Sequence, residues 1–180
     1  MVMGLAGSKG PTVFDAHERV LHAPMAVVGA LLERLGADDD PIWPSDRWPK
    51  LELDRGGLAV GARGGHGPIR YHVVEYEPGR RVRFRFTSPP GFMGHHEFIL
   101  ERAAEAGPDA VRLRHVLMMT PVDNARLSWP LVWKPLHDAL MEDALDRAEG
   151  AVTGQTPPLR PWPRYVHVLR RLFRGRIERR

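Results

Sequence analysis

Among the residues of this chain that could carry chemistry, two histidines stand out. His96 lies in a run that alternates through Phe98 and Leu100, and His115 in one that alternates through Leu113, Leu117 and Met119. Alternation with period two puts each imidazole on the apolar face of a strand. The pairing expected between the two strands sets them diagonally on neighbours. A histidine so placed either acts as acid or base near neutral pH and hydrogen-bonds a ligand carbonyl or hydroxyl, or sits as a neutral core residue satisfied by a neighbour. Other chemistries are poorly supplied. The sequence has no cysteine, which excludes thiolate metal sites, disulfides and a cysteine nucleophile. It has no Gly-x-Ser-x-Gly element. An enzyme built on this chain would therefore work by proton transfer, as a cyclase, dehydratase or isomerase, with Tyr71, His96 and His115 as its candidate donors.

Metal and nucleotide sites are not expected. His95 and His96 are neighbours on one strand and point to opposite faces, so they cannot share an ion. His17 and His22 fail on the same parity, and no helical His-Glu-x-x-His occurs. Asp38, Asp39 and Asp40 lack ordered ligand spacing and read as a solvated loop or the cap of a second short helix. Gly64, Gly65 and Gly67 read as a hairpin turn. They are misspaced for a dinucleotide fingerprint and lack the Gly-Lys-Ser/Thr of a phosphate loop. No cofactor is implied.

The elements that must position these side chains are strands. Ile69–Glu77, Arg80–Ser88, Met93–Arg102 and Ala110–Thr120 read as an antiparallel meander with short turns. Its register sets Phe84 near His96, Val82 near Phe98, Phe98 opposite His115, and His96 opposite Leu117. At Pro78-Gly79 two registers are open: a two-residue loop turns Tyr71 and Val73 inward, a bulge turns Val74 and Tyr76 inward. Upstream, Thr12–His22 reads as a strand with Phe14, Ala16 and Val20 on one face and Asp15, His17 and Arg19 on the other. A helix opens at Pro24, carries Val28, Leu31, Leu32 and Leu35, and stops at Gly36. Trp43 and Trp48 lie among prolines and are either core plugs or the rim of a ligand mouth. Leu51–Asp54 and Leu58–Arg63 read as short strands. A long helix follows Pro121, with Trp133, Leu136, Leu140, Ala144, Ala148 and Val152 on one stripe and Glu142, Asp146 and Arg147 outside it. Gly154 ends it.

This order resembles the helix-grip fold of the START/Bet v 1-like superfamily, also called the SRPBCC or polyketide cyclase/dehydrase group. The similarity is carried by Gly57–Arg63, by Tyr71–Arg80, and by His137–Leu140 through Asp146–Ala148. It implies an α+β fold of order β-α-α-β6-α, a seven-stranded antiparallel sheet curved around a long C-terminal helix, with a cavity between them. On that fold the cavity wall is Phe84, Phe86, His96, Phe98, Leu113, His115, Leu117 and Met119, faced by Trp133, Leu136 and Leu140. His137 reaches the mouth, whereas a His137–Asp138 dyad would need two adjacent helix positions to turn inward together. The resemblance implies hydrophobic small-molecule binding more than any reaction.

The expected organisation is a disordered segment at 1–11, the helix-grip domain at 12–154, a proline-rich linker at 155–163 and a basic amphipathic tail at 164–180. The net charge is +4, but residues 156–180 carry +7 and leave the body near −3. In the tail, Tyr165, Val168, Leu169, Leu172, Phe173 and Ile177 form one stripe, with Arg164, Arg170, Arg171 and Arg174 outside it and Trp162 at its start. Such a helix docks on its own domain, on a second subunit or other protein, or on an anionic membrane. Nucleic acid is not an expected partner, since the acidic body offers no base-reading or stacking element. With no cysteine, no secretory signal and no spanning segment, the expected location is cytoplasmic. Three functions follow: binding or carriage of a lipid-, quinone- or polyketide-like molecule, proton-transfer catalysis on such a molecule, or protein interaction through the tail.

Overall fold

The computed structural model describes residues 11–155 and 160–177. The expectation of a disordered N-terminus falls on residues that, but for 11, lie outside these, as does part of the linker. Seven strands form one antiparallel sheet in the order β1-β7-β6-β5-β4-β3-β2. They are β1 (Val13–His22), β2 (Glu52–Leu53), β3 (Arg63–His66), β4 (Ile69–Glu77), β5 (Arg81–Ser88), β6 (Phe92–Arg102) and β7 (Ala110–Pro121). Helix α1 (Met25–Glu33) follows β1, and α2 (Ala125–Ser128) leads through a π-turn at Trp129–Trp133 into the long α3 (Lys134–Thr153). Helix α4 (Arg164–Ile177) comes last. Among the described residues no helix is long and apolar enough to cross a membrane.

The meander has the register its alternation implies: Val82 pairs with Phe98 and Phe84 with His96, and Phe98 pairs with His115 and His96 with Leu117. At the β4–β5 hairpin both registers occur in turn. Tyr71 pairs with Phe86 and Val73 with Phe84, a bulge falls at Val74, and Tyr76 then pairs with Val82. The bulge lets Tyr71, Val73 and Tyr76 all lean on the core, because an extra residue reverses the alternation beyond it.

Three local expectations change, the first being the strand expected at Leu58–Arg63: residues 58–62 are irregular and β3 starts only at Arg63. No second helix follows α1; residues 34–51 are turns, stapled by Asp40, whose carboxylate accepts from the backbone N–H groups of Gly36, Ile42 and Trp43 at 2.7–2.8 Å. Gly64 and Gly65 belong to β3 rather than to a turn. A Cβ at either would lie 1.8–1.9 Å from a carbonyl of the flanking strands, so only glycine admits that close pairing. Pro135 sits in the first turn of α3, where its missing N–H costs nothing.

The inner face of the sheet and α3 enclose a core that includes Leu21, Leu32, Val73, Val82, Phe84, Phe98, Leu100, Leu113, Leu140, Ala144 and Ala148.

Candidate functional site

The chemistry-bearing side chains converge where the N-terminal half of α3 crosses β5, β6 and β7. The His96 ring is stacked between Phe84 and Phe86, with centroids at 5.0 and 4.9 Å, and Tyr71 meets it edge-on at 4.8 Å. His115, on the neighbouring strand, lies edge-on to Phe98. The diagonal placement lets the two imidazoles bond directly, His96 Nδ1 to His115 Nε2 at 3.1 Å, one ring donating and the other accepting. His137 adds a third ring 5.0 Å from His115. Burial drives the His96 and His115 pKa values well below the ordinary histidine value, with neighbouring imidazoles adding to the effect, so both are neutral. Burial likewise pushes the Tyr71 phenol up and His66 down to about 3.

Beside these rings is a cavity of about 80 Å³. Of the residues expected to wall it, Phe86, His96, His115, Leu117, Trp133, Leu136, His137 and Leu140 do so. Phe84, Phe98 and Leu113 are packed in the main core, and Met119 in a satellite cluster with Phe92 and Trp129. They share the inner face but sit away from the opening. Tyr71 is buried behind His96 and does not border the space. The wall is completed by side chains that strand alternation could not nominate: Trp43, Trp48 and His66 from the loops and β3, Phe92 at the start of β6, Trp129 from the π-turn, and Met141. The polar atoms Tyr71 Oη, His96 Nε2, His115 Nδ1, and both nitrogens of His137 are buried without a hydrogen-bond partner.

Strand β1 corrects the sequence reading. Its charged face, not its apolar one, turns toward α3, and Phe14 on the other side is 60% exposed. The acids expected on the outside of α3 meet it there. Arg19 bonds Glu142, Asp146 and Glu149 at 3.2, 2.8 and 2.8 Å. His17 Nδ1 contacts Glu142 Oε1 at 3.0 Å, and Lys134 Nζ reaches Asp15 and Asp138 at 3.1 and 2.9 Å. Burial works against charge on His17, but the carboxylates of Asp138 and Glu142 outweigh it and raise its pKa. Burial would also raise Asp138, yet His137, His17 and Lys134 pull it far below the carboxylate range. The seam replaces apolar contact with paired charge along one side of the helix.

No protein-family model and no curated protein matches the chain. Solved structures do. Norcoclaurine synthase of Thalictrum flavum, a point mutant in complex with a transition-state analogue, superposes with a TM-score of 0.58 at 17% identity, over 82% of this chain and 98% of that one. Ara h 8.0201 gives 0.55 at 13%, over 81% and 100%, and CalU16 of Micromonospora echinospora 0.52 at 16%, over 96% and 100%. At these identities the likeness is one of fold: the chain has the helix-grip architecture of these proteins.

On this helix-grip frame the C-terminal helix is a further layer. Asp143 of α3 is its anchor. One carboxylate oxygen accepts from Trp48 Nε1 at 2.7 Å and Trp162 Nε1 at 3.0 Å, the other from Arg47 at 2.6 Å. The Arg47 guanidinium lies over the Trp162 ring, and that of Arg170 over Trp48 and Trp162, at 4.1–4.4 Å. Val166 and Leu169 are buried beneath them. The tail stripe is thus rotated from its expected setting. Arg170 faces inward, drawn by two indoles, while Tyr165, Val168 and Leu172 are exposed; the Ile177 side chain lies outside the described ones. Between α4, β3 and the loop after α1 opens a cleft of about 1350 Å³, with Trp48, Pro49, His66 and Gly67 dividing it from the cavity.

Proposed function

We propose that the chain binds a hydrophobic small molecule bearing a carbonyl or hydroxyl, of lipid-, quinone- or polyketide-like character, in the cavity beneath α3. The observation that carries this is the set of unpartnered imidazole nitrogens on His96, His115 and His137 at an otherwise aromatic and aliphatic wall. Buried polar atoms nearly always have partners, and a ligand oxygen would supply them. An apolar pocket with a few converging polar groups is the usual form of a small-molecule site. About 80 Å³ is well short of the ~300–1000 Å³ of such sites, so entry requires the wall to part. That favours a compact, flat ligand over a long acyl chain, with the wide cleft beyond Trp48 as its approach. The norcoclaurine synthase structure, a complex with a transition-state analogue, supports ligand binding by this architecture.

The bond between His96 and His115 favours a second reading, catalysis by proton transfer in a cyclase, dehydratase or isomerase. It ranks behind carriage because a base held well below neutrality by burial binds a proton weakly. The third reading, docking of a partner protein, a second subunit or a membrane through the tail, loses ground because α4 covers its own domain.

Native mass spectrometry of the protein purified from its source tests the first reading, followed by thermal-shift titration with quinones, fatty acids and polyketides. A stoichiometric apolar compound is the expected result. An empty protein that none of these stabilises would overturn it. His96→Gln and His115→Gln separate the first two: a carrier still binds, whereas an enzyme stays folded and loses turnover.

A further inference from the structure

Strand β1 and the first turn of α3 bring Asp15, His17, His137 and Asp138 together, with one donor atom from each lying within 4.8 Å of all the others. We propose that these four side chains bind a divalent transition-metal ion, zinc being the ion their donors suit best. The site takes His137 Nδ1 and leaves Nε2, with His96 and His115, to whatever the cavity holds.

The spacing is the first argument. His17 Nε2 is 3.4 Å from Asp138 Oδ1 and 3.8 Å from Asp15 Oδ1. His137 Nδ1 is 3.5 Å from Asp15 Oδ2 and 3.8 Å from Asp138 Oδ1. None of these is a hydrogen bond, and both nitrogens are buried without a partner. Two donors each ~2.0–2.1 Å from a tetrahedral zinc ion stand about 3.4 Å apart. At 3.4–3.8 Å the four side chains stand near the separation of ligands around a shared centre; without an ion the same spacing serves as ion pairing when the histidines are protonated.

The second argument is orientation. Ligating histidines typically give their other ring nitrogen to a carboxylate, which sets the tautomer and aims the free lone pair at the metal. His17 does this: Nδ1 lies 3.0 Å from Glu142 Oε1, Glu142 is itself held by Arg19, and Nε2 faces the cluster. A mixed imidazole and carboxylate set suits zinc among the common divalent ions.

Lys134 is the competitor. Its ammonium lies 2.9 Å from both oxygens of Asp138 and 3.1 Å from Asp15, which lets two carboxylates share a small space in the metal-free chain. Its side chain is 43% exposed, so it can withdraw into water, or keep one Asp138 oxygen while the other turns to the ion. His137 also borders the cavity, so the ion would pin β1 to α3 directly behind the cavity wall.

The test loads the full chain with Zn2+, passes it over a chelating resin and counts retained zinc by mass spectrometry, with Co2+ absorption reporting geometry. One ion per chain is expected, with tetrahedral cobalt bands. The double variant His17→Gln/His137→Gln should retain almost none. Glu142→Gln, which only positions His17, should weaken retention ~10–100-fold, and Lys134→Met should tighten it. No retained zinc in the wild type, or equal retention in the double variant, overturns the proposal. Should the double variant fail to fold, Lys134→Met decides: retention no tighter than wild type, or an octahedral cobalt spectrum, overturns it as well.

Discussion

Replacing Asp143 with alanine should unlock the C-terminal helix. Its side chain is only 4% exposed and bonds Arg47 at 2.6 Å and the indoles of Trp48 and Trp162. Removing one member of a buried ion pair costs about 3–5 kcal/mol, because the partner charge is stranded. Each buried donor left without an acceptor costs about 1–3 kcal/mol. Arg47 is 17% exposed and can recover some hydration, and the three losses share one site, so they do not add. The net expectation is about 3–4 kcal/mol, which at this chain length lowers Tm by about 10 °C. Asp143→Asn should lose about 2 kcal/mol, since one acceptor oxygen remains while its NH2 faces a donor. The control is Asp46→Ala. Asp46 pairs with Arg147 at the same 2.6 Å, but at 58% and 42% exposure, so ~0–1 kcal/mol is expected. Urea denaturation measures all three, and hydrogen exchange locates the effect: α4 amides should lose protection before those of β6 and β7. A loss below about 1 kcal/mol in Asp143→Ala with α4 still protected would refute the argument, for the tail would then be held by Val166, Leu169 and the Arg170 contacts without the carboxylate.

Three further outcomes follow from the same geometry. The His96 and His115 pKa values are depressed in the fold, so each binds a proton only on unfolding once the pH is below the unfolded value of 6.5. Their stabilising contribution is complete above that pH and falls below it at up to ~1.4 kcal/mol per pH unit each. From pH 6.5 to about 5 these two histidines should together account for a loss of roughly 3 kcal/mol in denaturant titrations, with buried His66 adding to it and His17, whose pKa is raised, opposing it, and the loss should shrink in His96→Gln. Gly29→Ala should cost about 1–3 kcal/mol by overpacking, since its Cβ would lie 2.8 Å from the backbone oxygen of Gly79; a wild-type Tm would show that α1 can slide. Arg19→Met should cost about 2 kcal/mol by urea titration, between the values for exposed and buried pairs, because Asp146 keeps Arg160 at 2.9 Å. No loss would mean the seam on β1 is not stabilising.

Strand alternation in the sequence reaches the sheet and its register because a one-residue slip would turn Phe84, His96, Phe98 and His115 to water together. It also places the His96–His115 contact, which is a property of two adjacent strands. It could not choose between the two faces of β1. Phe14 and Ala16 look like the inner side, and only the acids of α3, more than a hundred positions away, make Asp15, His17 and Arg19 the buried set. The same holds for Asp146, read as lying outside the helix stripe until Arg19 of β1 and Arg160 are present, while Asp143 carries no signal of its own and is placed only by the Trp48 loop and Trp162. The loop residues at the cavity, Trp43 and Trp48, carry no periodicity at all, and His66 ends a four-residue strand too short to show one. For Trp43 and Trp48 the signal was composition: two tryptophans in an irregular segment must be covered somewhere, and here they close the cavity.

Trp48 joins the two halves of the molecule's behaviour. It lines both the cavity and the cleft, and its N–H is bound to the same carboxylate that holds Trp162. Any widening that swings Trp48 aside must break that bond, about 1.5–3 kcal/mol for a hydrogen bond to a charged group, and must also disturb Arg170, stacked on both indoles. Ligand entry and loosening of α4 are therefore one event. Under saturating ligand, hydrogen exchange should quicken in α4 while it slows in β6 and β7, and Asp143→Asn should speed ligand association. Ligand that instead protects α4, with association unchanged in Asp143→Asn, would place the entrance at the Phe92–Trp129 end of the cavity, away from the tail.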